Sequence, residues 1–212
     1  MKYNTKLLVF VFLFFTTYST IILQPKSTGM FRFVETGIDT VLSDPELSLY
    51  VISNLDHEDP GLQGVYVKNT VQLSVVDQPA NMPGFVSSSP DVVTDFAQAR
   101  LYGSIGLLAH NNLAGEVFME LDEGEEIVLV YGNGKIEKYV VTEINEFQAT
   151  EPLSPYSSFI NLTDPDAILT NEELFFDTYG VAGRLILQTC ISNSNDDSWG
   201  RLFIIADELI AN

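Results

Sequence analysis

A chain of 212 residues, 46% of them apolar and 18% charged, has the length for one domain with an appendage. It has enough apolar mass to bury a core, which excludes a disordered polar chain. Ten basic residues against 29 acidic ones leave a net charge of −19, and that excludes a nucleic-acid partner because nothing would offset phosphate repulsion.

The chain opens with Lys2 and Lys6 ahead of Leu7-Leu8-Val9-Phe10-Val11-Phe12-Leu13-Phe14-Phe15, and the uncharged run continues through Ile21-Ile22-Leu23. Roughly 17 residues lie between Lys6 and Gln24, at the short end of what crosses a bilayer. Lysines before the run and acidic chain after it place the N-terminus in the cytoplasm and the rest outside. Residues 1–23 are therefore expected to be a single-pass membrane anchor. The alternative is a cleaved signal peptide and a secreted domain, with Thr17, Ser19 and Thr20 as the residues small enough for a cleavage site.

Residues 24–63 read as an acidic linker. Ser43-Asp44-Pro45-Glu46 and Asp56-His57-Glu58-Asp59-Pro60-Gly61 mix acids with turn formers, and His57 reads as a solvated residue within it. Apolar residues scattered between Ile38 and Leu55 allow part of this extension to pack on the domain that follows.

From residue 64 to 212 the pattern is mainly β. Val65 and Val67, then Val71, Leu73 and Val75, alternate with other residues at period two. Ser89-Pro90-Asp91 predicts the start of a short helix, with Val92, Val93, Phe96 and Ala97 on one face. Strands are predicted over Ser104–Ala109, Glu126–Tyr131 and Ile136–Ile144, the last two joined by a hairpin at Gly132-Asn133-Gly134. Thr170-Asn171-Glu172-Glu173 fits a capping box that opens a second short helix through Leu174 and Phe175. Strands over Arg184–Ile191 and Arg201–Ala206 close the domain. Many short strands, few helices and regular turns predict a closed or sandwich-like β domain.

The single cysteine cannot form an intramolecular disulfide. Cys190 either packs as a small hydrophobe or does chemistry, and it stands near the end of an apolar strand, after Thr189. Arg201 opens the next apolar run, and His110 closes the run Ile105 to Ala109. Thiol, imidazole and guanidinium at three strand ends are the groups that acyl transfer uses: a thiolate to attack a carbonyl, an imidazole that carries or releases a proton near neutral pH, and a permanently charged donor for an oxyanion. The bland readings are a core cysteine, a structural histidine, and an arginine paired with Asp196 or Asp197 at the surface. No Gly-rich phosphate loop, paired-cysteine zinc spacing or serine nucleophile elbow is present.

Ile186-Leu187-Gln188-Thr189-Cys190, with Arg201 after a short loop and Leu108-Ala109-His110 upstream, resembles the sortase family, whose nucleophile lies in a Thr-Leu-x-Thr-Cys motif at the end of a barrel strand. Phe118-Met119-Glu120-Leu121, Gly124 to Tyr131 and Lys138-Tyr139-Val140-Val141 extend the likeness, which covers about Gly64 to Ala206. Ile186 departs from the motif's first threonine, at a buried strand position. The resemblance implies a closed eight-stranded β-barrel with a few short helices, preceded by an N-terminal hydrophobic helix. It implies a cysteine transpeptidase that cleaves a C-terminal sorting signal of exported proteins and passes the acyl group to an amine on a cell-wall precursor or pilin. Cys190 is then the nucleophile, His110 the acid and Arg201 the oxyanion donor, with Thr189 and Trp199 as candidates for oxyanion support or groove wall.

Two other functions stay open on the residues alone: a peptidase that only hydrolyses, and a non-catalytic β-barrel that binds a peptide or carbohydrate in the same cleft. No cofactor is expected. Some sortases bind calcium between acidic loops, and Glu123, Glu125 and Glu172 are the residues here that could do so, but their spacing is not that of a calcium loop and a solvated acidic turn is the default.

Overall fold

The computed structural model describes residues 43–210. The expected N-terminal anchor and the first part of the linker lie outside the described residues, and no helix among the described residues is long and apolar enough to cross a membrane.

Within the expected linker, Pro45–Ser53 forms a helix, α1. Asp44 caps it, its carboxylate accepting from the backbone N–H of Glu46 and Leu47, and Pro45 takes a position whose missing N–H costs nothing. Leu47, Tyr50 and Val51 are buried against Tyr66, Val128 and Val130, each apolar side chain contributing on the order of 1.5–3 kcal/mol. The Tyr50 hydroxyl donates to the carbonyl of Leu73 at 2.6 Å. Gly64 leaves room for that ring: a Cβ there would lie 2.9 Å from Tyr50 Cζ.

The strands β1 (Leu62–Val67) and β2 (Val71–Asp77) form the first hairpin. β2 shows the expected alternation, while β1 is buried on both faces because α1 covers its outer side. β3 (Val92–Asp95) adds in parallel to β2. This corrects the expected helix after Ser89-Pro90. Asp91 takes a positive φ of 56°, which no helix can start from, and the β-branched run Val92-Val93-Thr94 fills the gap between β2 and β4 (Ile105–Leu108) with its side chains buried or nearly so. The helix that does form, α2 (Ala97–Arg100), is a single turn beyond the strand. Arg100 reaches back from it to form an ion pair with the buried carboxylate of Asp95.

A 3-10 turn at Glu116–Glu120 inserts Phe118, fully buried, into the core. β5 (Glu126–Tyr131) and β6 (Ile136–Ala149) form the expected hairpin, closed by Tyr131 N–H to Lys135 O at 2.9 Å with Gly134 at φ 83°. β6 runs five residues past the expected end at Ile144. Asn145 to Gln148 pair with β10 (Gly200–Glu208), so this polar stretch is held by ladder bonds rather than by its own apolar pattern. β7 (Phe159–Asn161) and β8 (Ile168–Leu169) branch from the far end of β6. The capping box at Thr170 then opens α3 (Asn171–Tyr179), a full turn longer than expected, which returns the chain to β9 (Arg184–Ile191).

The ring runs β10-β9-β4-β3-β2-β1-β5-β6, and the pairing of β6 with β10 closes it into an eight-stranded barrel. Each ring strand contributes to one core cluster, including Val65, Leu73, Val93, Leu107, Leu129, Val141, Leu187 and Ile204. Outside β9, β10 and β6 lies a second cluster, in which Ile186, Phe203 and Phe147 meet Leu174 and Tyr179 of α3.

Candidate functional site

β9 lies between β4 and β10, and its end carries Cys190. On one side the antiparallel ladder makes Arg201 the direct partner of Cys190. On the other, β4 runs parallel to β9 in the register Ile105↔Leu185 to Leu108↔Gln188. The chain keeps that register past the strand end, since Ala109 N–H donates to Gln188 O at 3.1 Å. His110 is the next residue, and there the chain turns, its carbonyl accepting from Leu113 and Gly115 N–H. Cys190 and Arg201 therefore stand side by side on neighbouring strands, and His110 follows two residues after the end of β4.

Cys190 and Arg201 also share a face. Leu107, Leu185, Leu187, Leu202 and Ile204 belong to the barrel interior, whereas Ile186 and Phe203 belong to the outer cluster. Period-two alternation then places Gln188, Cys190 and Arg201 outside. Cys190 is a free cysteine and half-buried, Arg201 is half-buried and His110 is exposed. Among the described residues no hydrogen bond joins the thiol to either neighbour, and such bonds commonly tighten only when substrate binds.

Arg201 Nη1 donates to the carbonyls of Ser198 at 2.9 Å and Gly200 at 2.8 Å. Those two bonds turn the guanidinium back over the β9–β10 connection and leave its other N–H groups without an acceptor among the described residues. It makes no ion pair with Asp196 or Asp197; Asp196 instead accepts from Ser198 N–H.

Thr189 points into the barrel at 2% exposure, and its hydroxyl donates to Ala109 O at 3.0 Å. The hydroxyl is thus committed to Ala109 inside the barrel, which leaves a backbone amide near Thr189 as the part of the expectation open to a bound group. Its contact fastens the segment before His110 to the strand before Cys190. Gly115 is required alongside: a Cβ there would lie 2.8 Å from His110 O and 2.9 Å from Thr189 Cβ. Trp199 is half-buried at the foot of β10, with its carbonyl accepting from Ala149 N–H at 2.9 Å.

Three residues emerge that sequence reasoning missed. Tyr179 is buried, and its hydroxyl donates to Gln188 Oε1 at 2.6 Å; burial pushes that phenol well above its ordinary range, so it stays protonated and serves as a donor. Gln188 stands two residues before Cys190 on the same face, which period two alone would have revealed. Asn111 Nδ2 donates to Ser192 Oγ at 2.6 Å and to Asp197 O at 2.9 Å. Nothing in the sequence signals those partners, more than eighty positions away.

Glu125 Oε2 accepts from Asp122 N–H within its own turn, and Glu173, beside Glu172, is committed to the cap of α3. Among the described residues no three histidine, cysteine or carboxylate side chains gather to hold a metal. A cavity of about 130 Å³ lies against Phe118, Leu121, Ile191 and Leu202, on the inward side of β9 and β10. It lies on the opposite face of the sheet from the outward-facing Cys190.

No protein-family model and no curated protein matches the chain. Among solved structures it is similar to sortases of the A, C and D classes. Sortase A of Listeria monocytogenes is 15% identical over 72% of this chain and 89% of that one, with a TM-score of 0.44. For sortase C-1 of Actinomyces oris the values are 15%, 77%, 80% and 0.47. For sortase C of Clostridium perfringens they are 12%, 92%, 98% and 0.42.

Proposed function

We propose that this chain is a sortase-type cysteine transpeptidase, acting outside the cell on exported proteins that carry a C-terminal sorting signal, and held at the membrane by residues 1–23. The observation that supports this best is that Arg201 pairs directly with Cys190 across β10 and β9, while His110 follows the end of β4, the parallel neighbour of β9. A structural cysteine would need neither an arginine directly opposite nor an exposed imidazole just past the end of the neighbouring strand.

The chemistry follows from the positions. Cys190 as thiolate attacks the scissile carbonyl carbon; a C–S bond forms and the carbonyl electron pair moves onto oxygen. The free N–H groups of Arg201 donate to that oxyanion. His110 as imidazolium gives its proton to the departing nitrogen as the C–N bond breaks, leaving a thioester on Cys190. An incoming amine then gives a proton to the now neutral His110 and displaces the thiolate, forming a new amide. Water in place of the amine gives hydrolysis. Gln188, oriented by Tyr179, stands two residues from the sulfur on the same face of β9.

A quenched-fluorescence library of C-terminal sorting-type peptides, with and without added glycine and diamino-acid amines, tests the reading. Cleavage, a mass adduct on Cys190 that alkali removes, and a joined product in the presence of amine are expected. Cleavage that persists in Cys190→Ala would overturn it.

A further inference from the structure

We propose that Asn111 is a positioning residue that latches the His110 segment to the connection between Cys190 and Arg201; the inference rests on the catalytic reading above. That connection, residues 192–199, begins two residues after Cys190 and ends two before Arg201, and it is largely exposed and polar: Ser192-Asn193-Ser194-Asn195-Asp196-Asp197-Ser198 ahead of Trp199. Its bonds are mostly its own, with Asn193 Oδ1 accepting from Asn195 and Asp196 N–H, and Asn193 N–H donating to Asp196 O. Among the described residues, Asn111 supplies the hydrogen bonds that tie residues 192–197 to another segment. A side-chain amide nitrogen has two N–H groups, and Asn111 uses them on two acceptors five residues apart in the chain, Ser192 Oγ and Asp197 O.

The consequence falls on both neighbours of the thiol. Arg201 is aimed by Ser198 O and Gly200 O, so its direction depends on where the end of this connection sits. His110 directly precedes Asn111, and its own carbonyl accepts from Leu113 and Gly115 N–H, which makes residues 110–115 a compact turn. Thr189 fastens that turn from behind, through Ala109, and Asn111 fastens it in front. Without the front bond, the turn and the connection move independently, and the imidazole and guanidinium lose their fixed relation across the sulfur. Misplacement by about 1 Å can cost a hundredfold in rate.

The test uses the full chain and four variants, Asn111→Ala, Asn111→Asp, Ser192→Ala and the double variant Asn111→Ala/Ser192→Ala, read by amide hydrogen exchange, by the pH profile of Cys190 alkylation with iodoacetamide, and by kcat and KM on the peptide hit. For Asn111→Ala, faster exchange over residues 191–199, a flattened alkylation profile, and kcat lower by roughly 10- to 100-fold at a KM within twofold are expected. Asn111→Asp should match it, since a carboxylate cannot donate to Asp197 O. Ser192→Ala should lose less, and the double variant should be no worse than Asn111→Ala alone. Unchanged exchange, or faster exchange with unchanged kcat and alkylation, overturns the latch. Failure of the catalytic reading shows elsewhere, as turnover that survives Cys190→Ala in an otherwise native chain, and exchange and alkylation then still judge the latch.

Discussion

Replacing Thr189 by valine keeps the volume and shape of the side chain and removes one atom's chemistry. Thr189 Oγ1 donates to Ala109 O across 3.0 Å, and both residues are buried, at 2% and 6% exposure. Ala109 O has no other donor among the described residues. The variant therefore strands a buried carbonyl, at a cost of about 1–3 kcal/mol. In a domain of this size each kcal/mol lowers Tm by about 2–4 °C, so the loss should be roughly 2–12 °C. Thr189→Ser keeps the bond, gives up a methyl group, and should lose less. Scanning calorimetry measures the stability, and the peptide assay measures kcat, which should fall with valine because Ala109 is bonded to the residue that carries the imidazole. A valine variant as stable and active as the parent, or a serine variant worse than the valine one, would refute the reasoning.

Arg201→Lys should lower kcat by roughly 10²–10³-fold with little change in Tm, because one ammonium cannot hold the carbonyls of Ser198 and Gly200 while donating into the groove; near-native kcat would remove Arg201 from the chemistry. Gly115→Ala should cost about 1–3 kcal/mol by overpacking against His110 O and Thr189, read as a lower Tm; an unchanged Tm would show that the turn yields freely. At the other end of the barrel, burial raises the Glu137 carboxyl, but hydrogen bonds from Lys135, Tyr131 and Tyr139 outweigh it and hold the group below its ordinary value. Such a group contributes stability above its unfolded pKa and loses it as pH falls through the lower folded value. Glu137→Gln should therefore melt below the parent at pH 7, with the gap closing in acid; a gap constant with pH would contradict the shift.

Much of the barrel is legible along the chain because strands announce themselves locally. The alternation from Val71 to Val75, the Gly132-Asn133-Gly134 turn and the Thr170 capping box each need only a few adjacent residues, and each appears in the structure where expected. The failure at Val92 is equally instructive. Val92, Val93, Phe96 and Ala97 do suit one helical face, but two open strand edges and the positive φ at Asp91 decide for a strand. The extension of β6 through Asn145 to Ala149 was invisible for the same reason: its partner, β10, lies more than fifty residues away.

By itself the sequence determined the mainly β character, the turns, the caps and the order in which His110, Cys190 and Arg201 occur, because these depend on side-chain types within a few positions. Only the tertiary structure decided that β4 and β10 flank β9, in the register that puts Arg201 opposite Cys190. The same structure turned Thr189 inward and joined Asn111 to Ser192 and Asp197. Register between distant strands is a property of the closed barrel, where a shift of one residue would exchange inner and outer faces along a whole strand, and no local pattern encodes it.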